Sequence, residues 1–221
     1  MLKQHRKASA RLAMTYQKTS KNRQLNKFCF RLLYFIGGLV ILSMGYALII
    51  HAGLGSDTIG LLAQGISKKA GITIGRGSQI INLTAVAIVL VWDRKLTGVG
   101  TFITMFGIGF LMDLFLPILP VSVSPLINAL FLAAGIGIAG IGVALTVISD
   151  MGASPIDCLM LLLSSKLKAS IMTVRIFIDV IMAFTGWIIG GTAGIGTILS
   201  AILIGPVIDR SMKAFKRRGQ A

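Results

Sequence analysis

Apolar residues fall in long unbroken blocks along this chain, interrupted by short turns rich in glycine, serine and aspartate. The first block, Leu32 to Ile50, predicts a helix over about 32–52. A turn, AGLGSD (52–57), leads to a short apolar segment, 58–67, closed by Lys68 and Lys69. Two more long blocks predict helices over about 77–92 and 99–118. The same order then recurs: a helix over 127–149, the turn SDMGASP (149–155), a short segment 156–165 closed by Lys166 and Lys168, and helices over 172–189 and 195–209. Blocks of this length suit helices that cross a hydrocarbon core about 30 Å thick.

The recurrence is an internal duplication. Gly38 to Asp113 reappears as Gly135 to Asp209 with one residue deleted in a loop. Gly38, Ile41, Gly45, Ala47, Leu48 and Gly55 match Gly135, Ile138, Gly142, Ala144, Leu145 and Gly152. GVGTFITMFGIGFLMD (98–113) matches GIGTILSAILIGPVID (194–209). Duplicated apolar units with broken, glycine-rich segments are typical of transporters whose site lies between the repeats. Gly38 and Gly45, like Gly135 and Gly142, are seven apart and share a helix face, which reads first as a packing surface.

The short segments decide the topology. Ten residues of helix rise about 15 Å, half of the core. As half-helices that dip in and out they leave six spans and copies of opposite orientation. As spans covered by snorkelling lysines they give eight spans and parallel copies. Loop charges lean slightly to eight and segment length to six. The reading adopted is an all-α polytopic bundle of two repeats, with about six full spans plus two short or re-entrant helices. Its parts are a basic tail (1–28), repeat 1 (29–120), repeat 2 (121–209) and a second basic tail (210–221).

Composition agrees with this. The chain is 55% hydrophobic and 13% charged, against about 25% charged in soluble domains, and its mean hydropathy is +0.86. The net charge of +15 is concentrated at the ends: of 22 Lys and Arg, nine lie in residues 1–31 and five in 210–218. Flanking apolar spans, this surplus fits the positive-inside rule with both termini cytoplasmic and touching anionic lipid headgroups, rather than nucleic acid. The first apolar run is too long for a signal-peptide core, and the basic stretch before it too long for an n-region; a mitochondrial presequence is a minor alternative. Cys29 and Cys158 lie in different environments and imply no disulfide.

The turns before the short segments are the candidate binding sites: Gly55 and Asp57 in copy one, and Gly152, Ser154, Pro155 and Asp157 in copy two. Ser154 is placed as an N-cap and Pro155 in the first helical turn, where its missing N–H costs nothing. Such a helix start attracts anionic groups when it lies inside the membrane, and is an ordinary capped end when it lies at the surface. Arg175 and Asp179, four apart on one helix, share a face. An intramembrane acid is a functional hypothesis by default, against a structural ion pair as the bland alternative. Asp179 aligns with Asn82, so both copies carry a polar group there. Asp113 and Asp209 read as interfacial anchors, while His51 and Asp150, near the ends of the first helices, are groups able to titrate or pair, although a lone interfacial His is usually just solvated. HExxH, P-loop, CxxC and Gly-x-Ser-x-Gly patterns are missing, and two histidines and seven aspartates assemble no catalytic set. The expectation is a protein that is not an enzyme and takes no metal or cofactor.

With LGSDTIGLLAQGIS (54–67), GVGT…GFLMD, MGASPIDCLM (151–160), VRIFID (174–179), GWIIGG (186–191) and GIGT…IGPVID (194–209) in view, residues 31–209 resemble the YczE/YyaS/YitT family of bacterial multi-span membrane proteins, nearest its YczE-like branch. The resemblance implies a bacterial plasma-membrane protein and carries no mechanism with it. Copy one departs from copy two in lacking the Pro and the following Asp. The functional expectation is a small secondary transporter or permease for an unidentified small solute, with a homo-oligomer possible. The alternative is a membrane accessory or scaffold acting through partner proteins.

Overall fold

The computed structural model describes residues 28–120 and 124–218, so most of the N-terminal tail lies outside it. The described residues are helical, with no strand among them. Eight helices follow one another: α1 (Phe28–His51), α2 (Thr58–Ala70), α3 (Ile74–Trp92), α4 (Val99–Phe115), α5 (Pro125–Ser149), α6 (Pro155–Leu167), α7 (Ile171–Ile188) and α8 (Ile195–Arg218). Single 3₁₀ turns follow α3 and α4. Six of the eight (α1, α3, α4, α5, α7 and α8) are long and apolar enough to cross a membrane. The other two, α2 and α6, have 13 residues each, or about 20 Å of helix.

Local chemistry sets the boundaries. Thr73 and Ser170 cap α3 and α7 through their hydroxyls, and Pro125 and Pro155 occupy first turns. Gly71 ends α2 in the left-handed region at φ 66°, where a glycine carries no Cβ penalty. The last helix departs from the sequence expectation. It runs unbroken from Ile195 to Arg218, so the expected boundary at residue 209 falls inside it.

The helices form two groups. α1, α4 and α5 share a core of Leu39, Leu42, Ile49, Ile108, Leu132 and Ile136, with Ile204 of α8 against it. α2, α3, α6 and α7 share another, with Ala63, Ile81, Ala85, Ile156, Met160, Val174, Ile178 and Met182. At the centre of the first group α1 and α5 cross antiparallel, backbone on backbone. A Cβ on Gly45 would lie 2.4 Å from the Ala139 nitrogen, and one on Gly142 would lie 2.4 Å from the Leu42 nitrogen. The seven-residue glycine spacing is thus a packing seam, as small residues commonly provide in lipid. These contacts are reciprocal under the sequence duplication, which aligns Gly45 with Gly142 and Leu42 with Ala139.

The turns after α1 and α5 are exchanged in the same way. The Leu54 carbonyl accepts from the Gly196 N–H at 2.8 Å, and the aligned Met151 carbonyl accepts from Gly100 at 3.1 Å. Each copy's turn is therefore anchored on the other copy's third long helix. At one end of the bundle His51 bonds the Pro120 carbonyl at 2.8 Å and packs edge-on against Phe131. At the other end Arg31 pairs with Asp150 at 3.0 Å. His51 and Asp150 both tie the first helices of the copies to their surroundings. Asp113 is more than an interfacial anchor: its carboxylate accepts from the Thr73 hydroxyl at 2.5 Å and the Gly75 N–H at 2.7 Å, binding α4 to the start of α3.

Candidate functional site

The two short helices do not cross the bundle. Thr58, the first residue of α2, donates to Asp179 at 2.8 Å, and Asp179 is the ninth of the 18 residues of α7. At the far end of α2 the Lys68 ammonium donates to the Gly190 carbonyl, just past α7, at 2.9 Å. α2 therefore starts at mid-height beside α7, runs parallel to it and ends at the end of the bundle marked by His51. The chain enters and leaves by that same end. α6 packs against α3 as α2 packs against α7, and near its start the Cys158 thiol bonds the Leu96 carbonyl beyond α3 at 3.2 Å. Each short helix thus lies on a long helix of the other copy.

Most of the sequence-derived candidates lie at the starts of these two helices and on α7. Asp57 is the N-cap of α2 and accepts from the Gly60 N–H at 3.4 Å through Oδ2, while its Oδ1 is buried with no hydrogen-bond partner. Ser154 caps α6: its hydroxyl accepts from the Asp157 N–H at 3.3 Å and donates to the Asp157 carboxylate at 2.7 Å. Pro155 follows it in the first turn. Arg175 Nε lies 3.8 Å from Asp179 Oδ2, a loose pair with side chains 54% and 33% exposed. The cluster holds three carboxylates against one guanidinium.

Other candidates have different places. Gly55 and Gly152 sit at φ 107° and 135° and form the exchanged turns rather than the cluster. At Gly55 a side chain would also strike Gly194, 2.7 Å from its nitrogen. Asn82 is buried and donates to Ser78 of its own helix at 3.0 Å, apart from the charged residues. Asp209 is exposed on α8.

Two participants escaped the sequence reading. Thr58 looks like an unremarkable first-turn residue. Gln64 is buried, donating to Ser56 at 3.3 Å and accepting from the Thr192 N–H at 3.1 Å. A lone glutamine in an apolar short segment was the available signal, because a buried amide must find partners. Among the described residues no group of His, Cys, Asp and Glu is arranged to hold a metal ion.

Comparison with known proteins points to a family of membrane proteins. A relative from Bacillus subtilis (strain 168), "Uncharacterized membrane protein YczE", is 31% identical over 183 residues, covering 82% of this chain and 85% of its own. An "Uncharacterized protein" from Haemophilus influenzae is 33% identical over 173 residues, covering 77% and 78%. "Uncharacterized protein YyaS" of Bacillus subtilis (strain 168) is 29% identical over 197 residues, covering 85% and 98%. No solved structure matches. With residues 29–213 matched by the "Family of unknown function (DUF6198)", this multi-pass membrane protein belongs to that family, together with YczE and YyaS.

Proposed function

We propose that the protein is a small secondary transporter or permease of the bacterial plasma membrane, with both termini cytoplasmic and its solute site where α2 and α6 begin. The observation that carries this reading is a half-length helix, α2, starting at mid-height beside Asp179, with a second half-length helix, α6, in the corresponding place of the other copy. Discontinuous helices of this kind form the sites of secondary transporters, and they lie between inverted repeats. The antiparallel, reciprocal crossing of α1 and α5 supports an inverted relation between the copies. Two-fold exchange of α1 with α5 reverses the direction of each.

The charge balance narrows the solute. Asp57, Asp157 and Asp179 outnumber Arg175, and Asp57 and Ser154 already cap the helix starts that would otherwise draw an anion. Uncompensated carboxylates at this height are costly unless a positive partner joins them. The site therefore favours a small cation, protons included. A scaffold acting only through its basic tails gives no reason for these charged groups within the bundle. The tails themselves, on this reading, rest on anionic headgroups.

The test is charge displacement in proteoliposomes on a supported membrane. Concentration jumps of alkali ions, ammonium, guanidinium, spermidine and protons are applied to the purified protein. Displacement by one of these, lost in Asp179→Asn, supports the reading. A folded protein that gives none with any of them refutes cation selectivity.

A further inference from the structure

The two copies differ most where their second and third long helices meet. In copy one α3 and α4 touch along a glycine seam. A Cβ on Gly75 would lie 2.0 Å from the Gly109 carbonyl oxygen, and Gln79 donates to the Phe106 carbonyl at 3.1 Å. Asp113 closes the end of that seam. In copy two α7 and α8 have no comparable packing. Met172 stands where Gly75 stands, and Gly205, the counterpart of Gly109, has open space around it. A methionine cannot replace a glycine whose Cβ would already overlap backbone, so the sequence itself holds this seam apart.

Met172, Arg175 and Asp179 lie on one face of α7 by helical spacing. It is the face whose counterparts in α3, Gly75, Ser78 and Asn82, are buried. The exposed Phe177, Val180 and Phe184 lie on another side of α7, while Met172 on the cleft face is exposed as well. A half-exposed Arg–Asp pair at mid-span is sustained by water or protein, not by hydrocarbon.

We infer that the α7–α8 cleft is a water-filled entrance through which a hydrophilic solute, not a lipid-borne one, reaches Arg175 and Asp179. This deepens the permease reading by naming a route, and its test needs no flux, so the two can fail separately. Ala201 of α8 is exposed beside the cleft, whereas Met105, at the matching position of α4, is buried. Ala201→Cys and Met105→Cys are each placed in a Cys29→Ser background, whose buried Cys158 gives the baseline. The reconstituted proteins are treated with a charged methanethiosulfonate and, separately, with a lipophilic maleimide.

Only a hydrated thiol ionises readily, so the Ala201→Cys protein should react with the charged reagent roughly tenfold or more faster than the Met105→Cys protein. Gly205→Cys, introduced into open space, should repeat the result if Ala201→Cys folds poorly. Labelling at 201 and 205 by the lipophilic reagent alone would show a lipid-filled groove. No labelling by either would show a closed seam. Equal charged labelling at 105 would show no distinct cleft. Any of these outcomes overturns the inference.

Discussion

A carboxylate in the middle of a span is costly in hydrocarbon unless paired or hydrated, and at Asp179 the pairing is slack. Its partner Arg175 is 3.8 Å away and both side chains are partly exposed, a geometry worth less than about 1 kcal/mol. Thr58 supplies the shorter contact, 2.8 Å, and an amide oxygen can accept that bond equally well. Asp179→Asn should therefore melt within a few degrees of wild type while losing cation-driven charge displacement. A purely structural pair predicts the reverse pattern: strong destabilisation of Asp179→Asn by the orphaned guanidinium, rescued when both residues become apolar. Differential scanning fluorimetry in detergent, beside the displacement assay, separates the two. Glycines offer a second comparison at this scale. A Cβ on Gly109 would lie 2.3 Å from the Gly75 carbonyl, whereas Gly205 has nothing within 4 Å. Gly109→Ala should cost about 1–3 kcal/mol through overpacking. Gly205→Ala should be neutral or stabilising, because alanine is the better helix former by up to about 1 kcal/mol. Equal melting shifts in the two variants would contradict the difference between the seams.

At the scale of elements, the sequence was most legible where one helix decides its own fate. Long apolar blocks became α1, α3, α4, α5, α7 and α8, and the ten-residue segments became the two helices too short to span. Ser154 and Pro155 marked the start of α6 because capping chemistry is local. What the sequence hid is set by distant partners. The Asp113 bond to Gly75 joins residues 38 apart. Thr58 meets Asp179 only because α2 packs along α7. The end of α8 escaped because a helix that leaves the bilayer no longer needs apolar residues to continue. Topology follows from the half-helices. If α2 enters and leaves by one side, Lys68–Lys69 faces outside and Arg94–Lys95 lies at the cytoplasmic end of α3. Single cysteines beside each pair, treated from outside intact cells with an impermeant thiol reagent, should label near Lys68 and not near Arg94. The opposite pattern would restore the eight-span arrangement with parallel copies.

For the whole molecule, orientation is governed by charge at its two ends. Nine basic residues precede or begin α1 and five lie in residues 210–218, where α8 ends. Six spans place both ends on one side, and basic flanks of short extramembrane segments are retained in the cytoplasm. The surplus far exceeds the loop charges, of which Lys68, Lys69 and Arg76 oppose this orientation. The N-terminal cluster comes first in synthesis and lies directly before the first span, where such charges weigh most. Both termini are therefore expected in the cytoplasm. Alkaline phosphatase, active only outside, should be silent when fused after Ala221, whereas a fluorescent protein that matures only inside should be bright there and at the N-terminus. Replacing the basic residues of 1–31 by glutamine should weaken this preference before any change in the tail at 210–218 does. A phosphatase active at residue 221, with the N-terminal fluorescent fusion still bright, would mean an odd number of crossings, and would remove both the inverted relation of the copies and the half-helix account of α2 and α6.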